Sequence, residues 1–230
     1  MSTMQNDINE KMRGILIDWL IDVHIKFKLR AETLFLTVNL IDRYLEKVTV
    51  PRQKLQLVGV ASMLIACKYE EIYAPETKDF VVVTDKAFTK EEIHDMEGKV
   101  LSVLEFNLTT TSSLSFLERY VRLTETSDKG SWLAKYILEL CLVDYKMLKY
   151  EPNMLAAAGL YLSNKILRKN QAWNEILENN SSFEENELRP CAKDLFMMLQ
   201  NIEKSSLQAV KRKYSDPKYL SVARMQMEKL

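Results

Sequence analysis

The chain has 230 residues, enough for one large domain or two of ordinary size, and its 47% apolar and 28% charged composition argues against disorder. Lys plus Arg equals Asp plus Glu at 32 each, so no net field draws it to nucleic acid or to an anionic membrane. Only five Gly and five Pro leave few places for strand turns, and the expected class is all-α.

In chain order, MSTMQNDINEKM has no apolar core of a signal peptide, which gives the expectation of an intracellular protein or a fragment of one. Asn6, Asp7 or Asn9 can cap a first helix running to about Phe27. Its apolar positions exceed one stripe: Met12, Ile15, Leu16 and Trp19 form one face, and Ile17, Leu20, Ile21 and His24 another. Such a helix has either two buried sides or one face kept open for a partner. Arg13 falls inside the apolar arc, where a guanidinium needs an acid, and Asp42 is the candidate for a structural ion pair.

A second helix is expected over about Ala31 to Glu46, followed by a loop from Val48 to Gln53. The stretch Lys54 to Glu71, KLQLVGVASMLIACKYEE, carries no charge from Leu57 to Cys67 and predicts a helix covered by protein on every side. It is roughly half the ~20 residues a bilayer span needs, so it reads as a core helix. Lys68 stands where that helix surfaces. Pro75 punctuates the turn into a short helix near Asp79 to Val83. Thr89 with Glu92 forms a capping box that opens a helix through Leu104, with Glu97 at its packed edge.

The polar run Asn107 to Ser113 marks a boundary, with domains at 1–108 and 109–230. Beyond it the pattern restarts: Leu155 to Lys165, LAAAGLYLSNK, matches Val58 to Lys68, VGVASMLIACK. LVDY at Leu142 to Tyr145 answers LIDR at Leu40 to Arg43, and Glu185 to Met198 answers the helix containing Glu97, with Pro190 expected to start or kink it. A repeat of about a hundred residues means two copies of one five-helix unit, then a helical tail containing QAVKRKY. Cys67, Cys141 and Cys191 lie far apart and suit reduced thiols rather than a metal site.

Taken in order, MRGILIDWL, KLQLVGVASMLIACKYEEIYAPE and HDMEGKVLSVLEF resemble the cyclin family, nearest its mitotic A and B types, over about Asn9 to Ala223. LAKYILELCLVDYKML and KRKY are more similar to a B type. The resemblance implies two tandem five-helix cyclin-fold repeats that bind and activate a cyclin-dependent serine/threonine kinase without catalysis or cofactor, in nucleus and cytoplasm. It implies kinase contact by Lys68 and Glu97, with Tyr69, Glu71, Ile72, Leu101 and Phe106 around them. From the residues alone, an intramolecular ion pair between Lys68 and Glu97 is the favoured reading.

The resemblance also implies a groove for substrates or inhibitors carrying an Arg-x-Leu segment, formed by Met12, Ile15, Leu16, Trp19, Leu55 and Gln56, with Asp22 as acid for the Arg. Gly14 stands where members usually carry Ala. Of a basic phosphate pocket found in B types, Lys135 is kept while Glu118 and Ser131 replace the other basic positions, so that pocket is expected to be missing or rebuilt with Arg119. No phosphate-cradling Gly-rich loop, metal-ligand cluster or nucleophile paired with a base is present, against an enzyme. A two-repeat transcription initiation factor would carry a basic face and a zinc ribbon. A scaffold that activates no kinase would have been suggested by loss of Lys68 or Glu97.

Overall fold

The computed structural model describes residues 5–225, which form two compact units dividing at Thr110 and Thr111, inside the polar run between the two repeats. The first unit holds five helices, α1 (Glu10–Phe27), α2 (Ala31–Lys47), α3 (Leu55–Glu70), α4 (Thr77–Val83) and α5 (Lys90–Val103). Helix α3 lies at its centre and packs against the other four. Every residue from Leu57 to Cys67 is buried, as an uninterrupted apolar and small-residue run requires. At Gly59 a Cβ would stand 2.8 Å from Leu16 Cδ1, so the missing side chain is what lets α1 lie so close.

The helix ends follow from local chemistry. Asn9 caps α1 by accepting from the Met12 amide at 3.0 Å, and Thr89 and Glu92 form the reciprocal capping box of α5. The loop before α3 closes in a short 3-10 turn, Arg52–Lys54, that the sequence pattern did not suggest. One face of α1, Ile17, Leu20 and Ile21, is wholly buried; on the other Leu16 is buried, Met12 and Trp19 are half-buried and Ile15 stays 49% exposed. Arg13 is wholly buried and grips Asp42 of α2 in a bidentate pair, Nε to Oδ1 and Nη2 to Oδ2, both at 2.6 Å. His24 is also buried, its Nε2 3.1 Å from the Arg30 carbonyl.

The second unit repeats the scheme with α6 (Ser113–Leu123), α7 (Asp128–Val143), α8 (Pro152–Ile166), α9 (Glu175–Ser181) and α10 (Glu185–Asn201). Helix α8 takes the central place, with Ala156 through Asn164 buried. Pro190 neither starts α10 nor divides it: the helix opens at a Glu184/Glu187 capping box and runs through the proline. The carbonyl that Pro190 leaves without a donor belongs to Asn186, and both residues are exposed, so water can take it.

The tail forms α11 (Ala209–Tyr214) and two 3-10 turns, and it is bonded to α7. Lys213 Nζ donates to both carboxylate oxygens of Glu139, at 2.6 and 2.8 Å, and the Tyr214 hydroxyl donates to Oε1 at 2.7 Å. Tyr136, Tyr214, Tyr219 and Trp132 stack edgewise or tilted around this buried pair.

Candidate functional site

The C-terminal end of α3 is where the central helix leaves the core. Lys68 emerges there, its side chain 49% exposed, and Nζ meets Glu97 Oε1 of α5 at 2.6 Å. Glu97 is 11% exposed at its side chain, held by the register that buries Ile93, Met96 and Val100 of the same helix. Its second oxygen, Oε2, lies 3.1 Å from His94 Nδ1, one turn earlier, and His94 Nε2 lies 3.2 Å from Thr77 Oγ1 at the start of α4. The carboxylate is thus held from two sides.

Large apolar side chains stand exposed in the turns that follow α3 and α5. Ile72 is 86% and Tyr73 92% exposed, in the loop leaving α3. Phe106 is 69% exposed, and both Glu105 and Phe106 have left-handed backbone, φ 54° and 55°. The Phe106 amide bonds back to the Leu101 carbonyl at 2.9 Å, closing α5 with a turn that normally favours Gly. Holding a bulky L-residue there costs about 1–2 kcal/mol, and the turn carries an aromatic ring facing solvent. Large apolar groups in open water are what a protein-binding patch requires.

The predicted neighbours divide. Tyr69 is half exposed and its hydroxyl bonds Thr109 Oγ1 at 2.6 Å, steadying the ring over the rim. Leu101 is half-buried and packs on the core as much as it faces outward. Glu71, placed among the contact residues by resemblance, turns inward: Oε1 accepts from the Arg30 amide at 2.8 Å and from the Thr33 hydroxyl at 2.5 Å. Its carboxylate serves the N-terminus of α2, whose capping residue Arg30 has no side-chain acceptor of its own, and so it fixes the end of α3 instead of reaching outward. His94 was missed in the sequence, although its spacing of three from Glu97 on one helix was the signal.

On α1, Met12 and Trp19 are half-buried, Ile15 and Asp22 are exposed, and Gln56 at the start of α3 is half-buried. Leu16 and Leu55, each 6% exposed, lie below this surface as its floor and are part of the core. The open part of the predicted groove is therefore Met12, Ile15, Trp19 and Gln56.

In the second unit Lys165, which corresponds to Lys68, has Nζ 3.7 Å from Glu185 Oε1, which also accepts from Tyr161 and Arg189. In that register Tyr69 corresponds to half-buried Ile166 and Ile72 to Lys169, so the second copy lacks these exposed apolar groups. Lys135 Nζ meets Glu118 Oε1 at 3.1 Å and lies over the Trp132 ring, which leaves its charge matched. Ser115, Glu118, Arg119, Arg122 and Leu123 line an open surface concavity of about 350 Å³.

Cys67, Cys141 and Cys191 are buried free thiols, and burial, with Glu71 nearby, pushes Cys67 up to about 12. Among the described residues no group of His, Cys, Asp and Glu could hold a metal ion, and no helix is long and apolar enough to cross a membrane.

Residues 1–109 match the family described as "Cyclin, N-terminal domain", and residues 111–228 match "Cyclin, C-terminal domain". The chain is 46% identical over 215 residues to Cyclin-B2-1 of Oryza sativa subsp. japonica, covering 94% of this chain and 51% of that protein. It is 43% identical over 220 residues to the G2/mitotic-specific cyclin-B of Dictyostelium discoideum, covering 95% and 50%. With the G2/mitotic-specific cyclin-B of Marthasterias glacialis it shares 45% over 217 residues, covering 94% and 56%. The chain spans about half the length of these curated relatives. Among solved structures, a viral cyclin from herpesvirus saimiri superposes with a TM-score of 0.76 at 21% identity, covering 84% of this chain and 86% of that one. A chain of the CAK complex from Chaetomium thermophilum bound to ATP-gamma-S gives 0.62 at 15% identity, covering 96% and 73%. At these identities the two structures speak for the fold alone.

Proposed function

Because the chain belongs to the cyclin family, we propose that it is the regulatory subunit that binds and activates a cyclin-dependent serine/threonine protein kinase during mitotic progression, in nucleus and cytoplasm. The observation that carries this reading is the half-exposed Lys68 on a nearly buried Glu97, together with exposed Tyr69, Ile72, Tyr73 and Phe106 in the helix ends and turns that follow. The ammonium and carboxylate suit the backbone and charges of a docked helix, and the apolar residues suit its side chains. The mitotic names of the relatives support the timing.

The mechanism is a shift of population. A protein kinase aligns ATP only when a Glu on its mobile helix pairs with a strand-borne Lys. A subunit that binds the inward conformer more tightly than the outward one pulls the kinase toward activity, and moving 1:99 to 99:1 takes about 5.5 kcal/mol of preference. An interface of ordinary size has that much available. The chain then supplies binding free energy and performs no chemistry. Adding it to a purified cyclin-dependent kinase is expected to raise phosphotransfer to a peptide by up to about a hundredfold, the limit set by that shift. A kinase that neither binds it nor speeds up would remove the reading.

The open α1 surface supports a second role in the same complex, in which Met12, Ile15 and Trp19 take the Leu of an Arg-x-Leu segment and Asp22 meets its Arg. Trp19→Ala is then expected to raise KM about tenfold for substrates carrying the segment, as loss of an aromatic anchor does. Short peptides without it should be phosphorylated as before. Equal losses on both would mark plain destabilisation.

A further inference from the structure

Resting on the kinase-activating reading, we infer that His94 is a positioning residue that keeps Glu97 oriented while Lys68 leaves it to bond the kinase. The geometry poses the problem directly. Among the described residues Lys68 is the only ammonium bonded to Glu97, at 2.6 Å, and Glu97 is 11% exposed at its side chain. A carboxylate so little hydrated cannot give up its counter-ion without a large penalty unless another donor stays. Lys68, half exposed on a flexible stem, can swing outward. His94 holds the oxygen that Lys68 does not use, Oε2, and it reaches that oxygen from within α5, so its bond survives when Lys68 moves.

The tautomer follows from the partners. An ionised carboxylate only accepts, so the proton facing Glu97 sits on Nδ1, and Nε2 is left to the Thr77 hydroxyl at 3.2 Å. Thr77 belongs to α4 and fixes the plane of the ring, so a third helix takes part in orienting the carboxylate. Glu97 therefore meets an incoming helix with one lone-pair direction already set.

The test uses three substitutions in the whole chain, with affinity for a purified cyclin-dependent kinase measured beside the melting temperature. His94→Ala removes the donor and is expected to weaken binding about tenfold, roughly 1.4 kcal/mol. His94→Asn places an amide N–H close to the position of Nδ1 and should return affinity to within about threefold of the parent, inside the spread of a single neutral hydrogen bond. His94→Gln reaches toward Thr77 with no donor beside Glu97, and it should bind as poorly as Ala. The ring is half exposed, so all three should melt with the parent chain. Equal affinity for all four proteins, or failure of Asn to restore what Ala loses, would overturn the role of His94 while leaving kinase binding intact. A parent chain that does not bind the kinase would sink both readings.

Discussion

Asp42→Ala is expected to destabilise the first unit by about 3–5 kcal/mol, the cost of stripping the carboxylate from a buried guanidinium. Arg13 has no exposed surface, and both bonds of its fork to Asp42 are 2.6 Å long. With the acid gone, the charge must be dragged toward water or left poorly matched, and either outcome loosens α1 from α2. Urea unfolding followed by Trp19 fluorescence, with Trp132 and Trp173 changed to Phe, should show a lower midpoint at unchanged slope. Replacing both partners together, Arg13→Met with Asp42→Leu, should recover much of the loss, since a well-packed apolar pair stands in for a buried ion pair at little cost. A single mutant as stable as the parent would contradict the account.

Lys68→Ala with Glu97→Ala is expected to abolish kinase binding, weakening it by a factor on the order of 10²–10⁴. Each charged group can make a charge-assisted bond worth about 1.5–3 kcal/mol at a desolvated interface. The double substitution should do little to folding, because removing both partners together leaves neither charge unmatched. Helical circular dichroism should therefore be unchanged while affinity collapses. Unaltered affinity would take the interface away from this end of α3.

Much of this was legible in the sequence because its causes are local. The apolar run of α3, the Thr89–Glu92 box and the polar run at the division of the units depend on neighbours a few residues apart. Arg13 was the exception that could still be paired at a distance, since a charge inside an apolar arc must find an acid and Asp42 lay on the next helix. Partnerships set by tertiary approach were not legible. Glu71 reaches Arg30 and Thr33 across 41 and 38 positions, and nothing in KYEEIY distinguishes a capping carboxylate from one that faces outward. Pro190 does not start α10, because the Glu184/Glu187 capping box opens the helix earlier and the proline stands on its exposed side. Leu16 and Leu55 showed the right face but not their depth, which depends on how closely Gly59 admits α1.

The bond between Lys213 and Glu139 also bears on how the protein is made. Seventy-four positions separate the two, so during synthesis the acid leaves the ribosome well before its cation, and at ordinary elongation of about 5–20 residues per second it waits several seconds. Until the tail arrives, that stretch of α7 must keep Glu139 hydrated, which holds the second half of the chain short of its final packing while the first half is already complete.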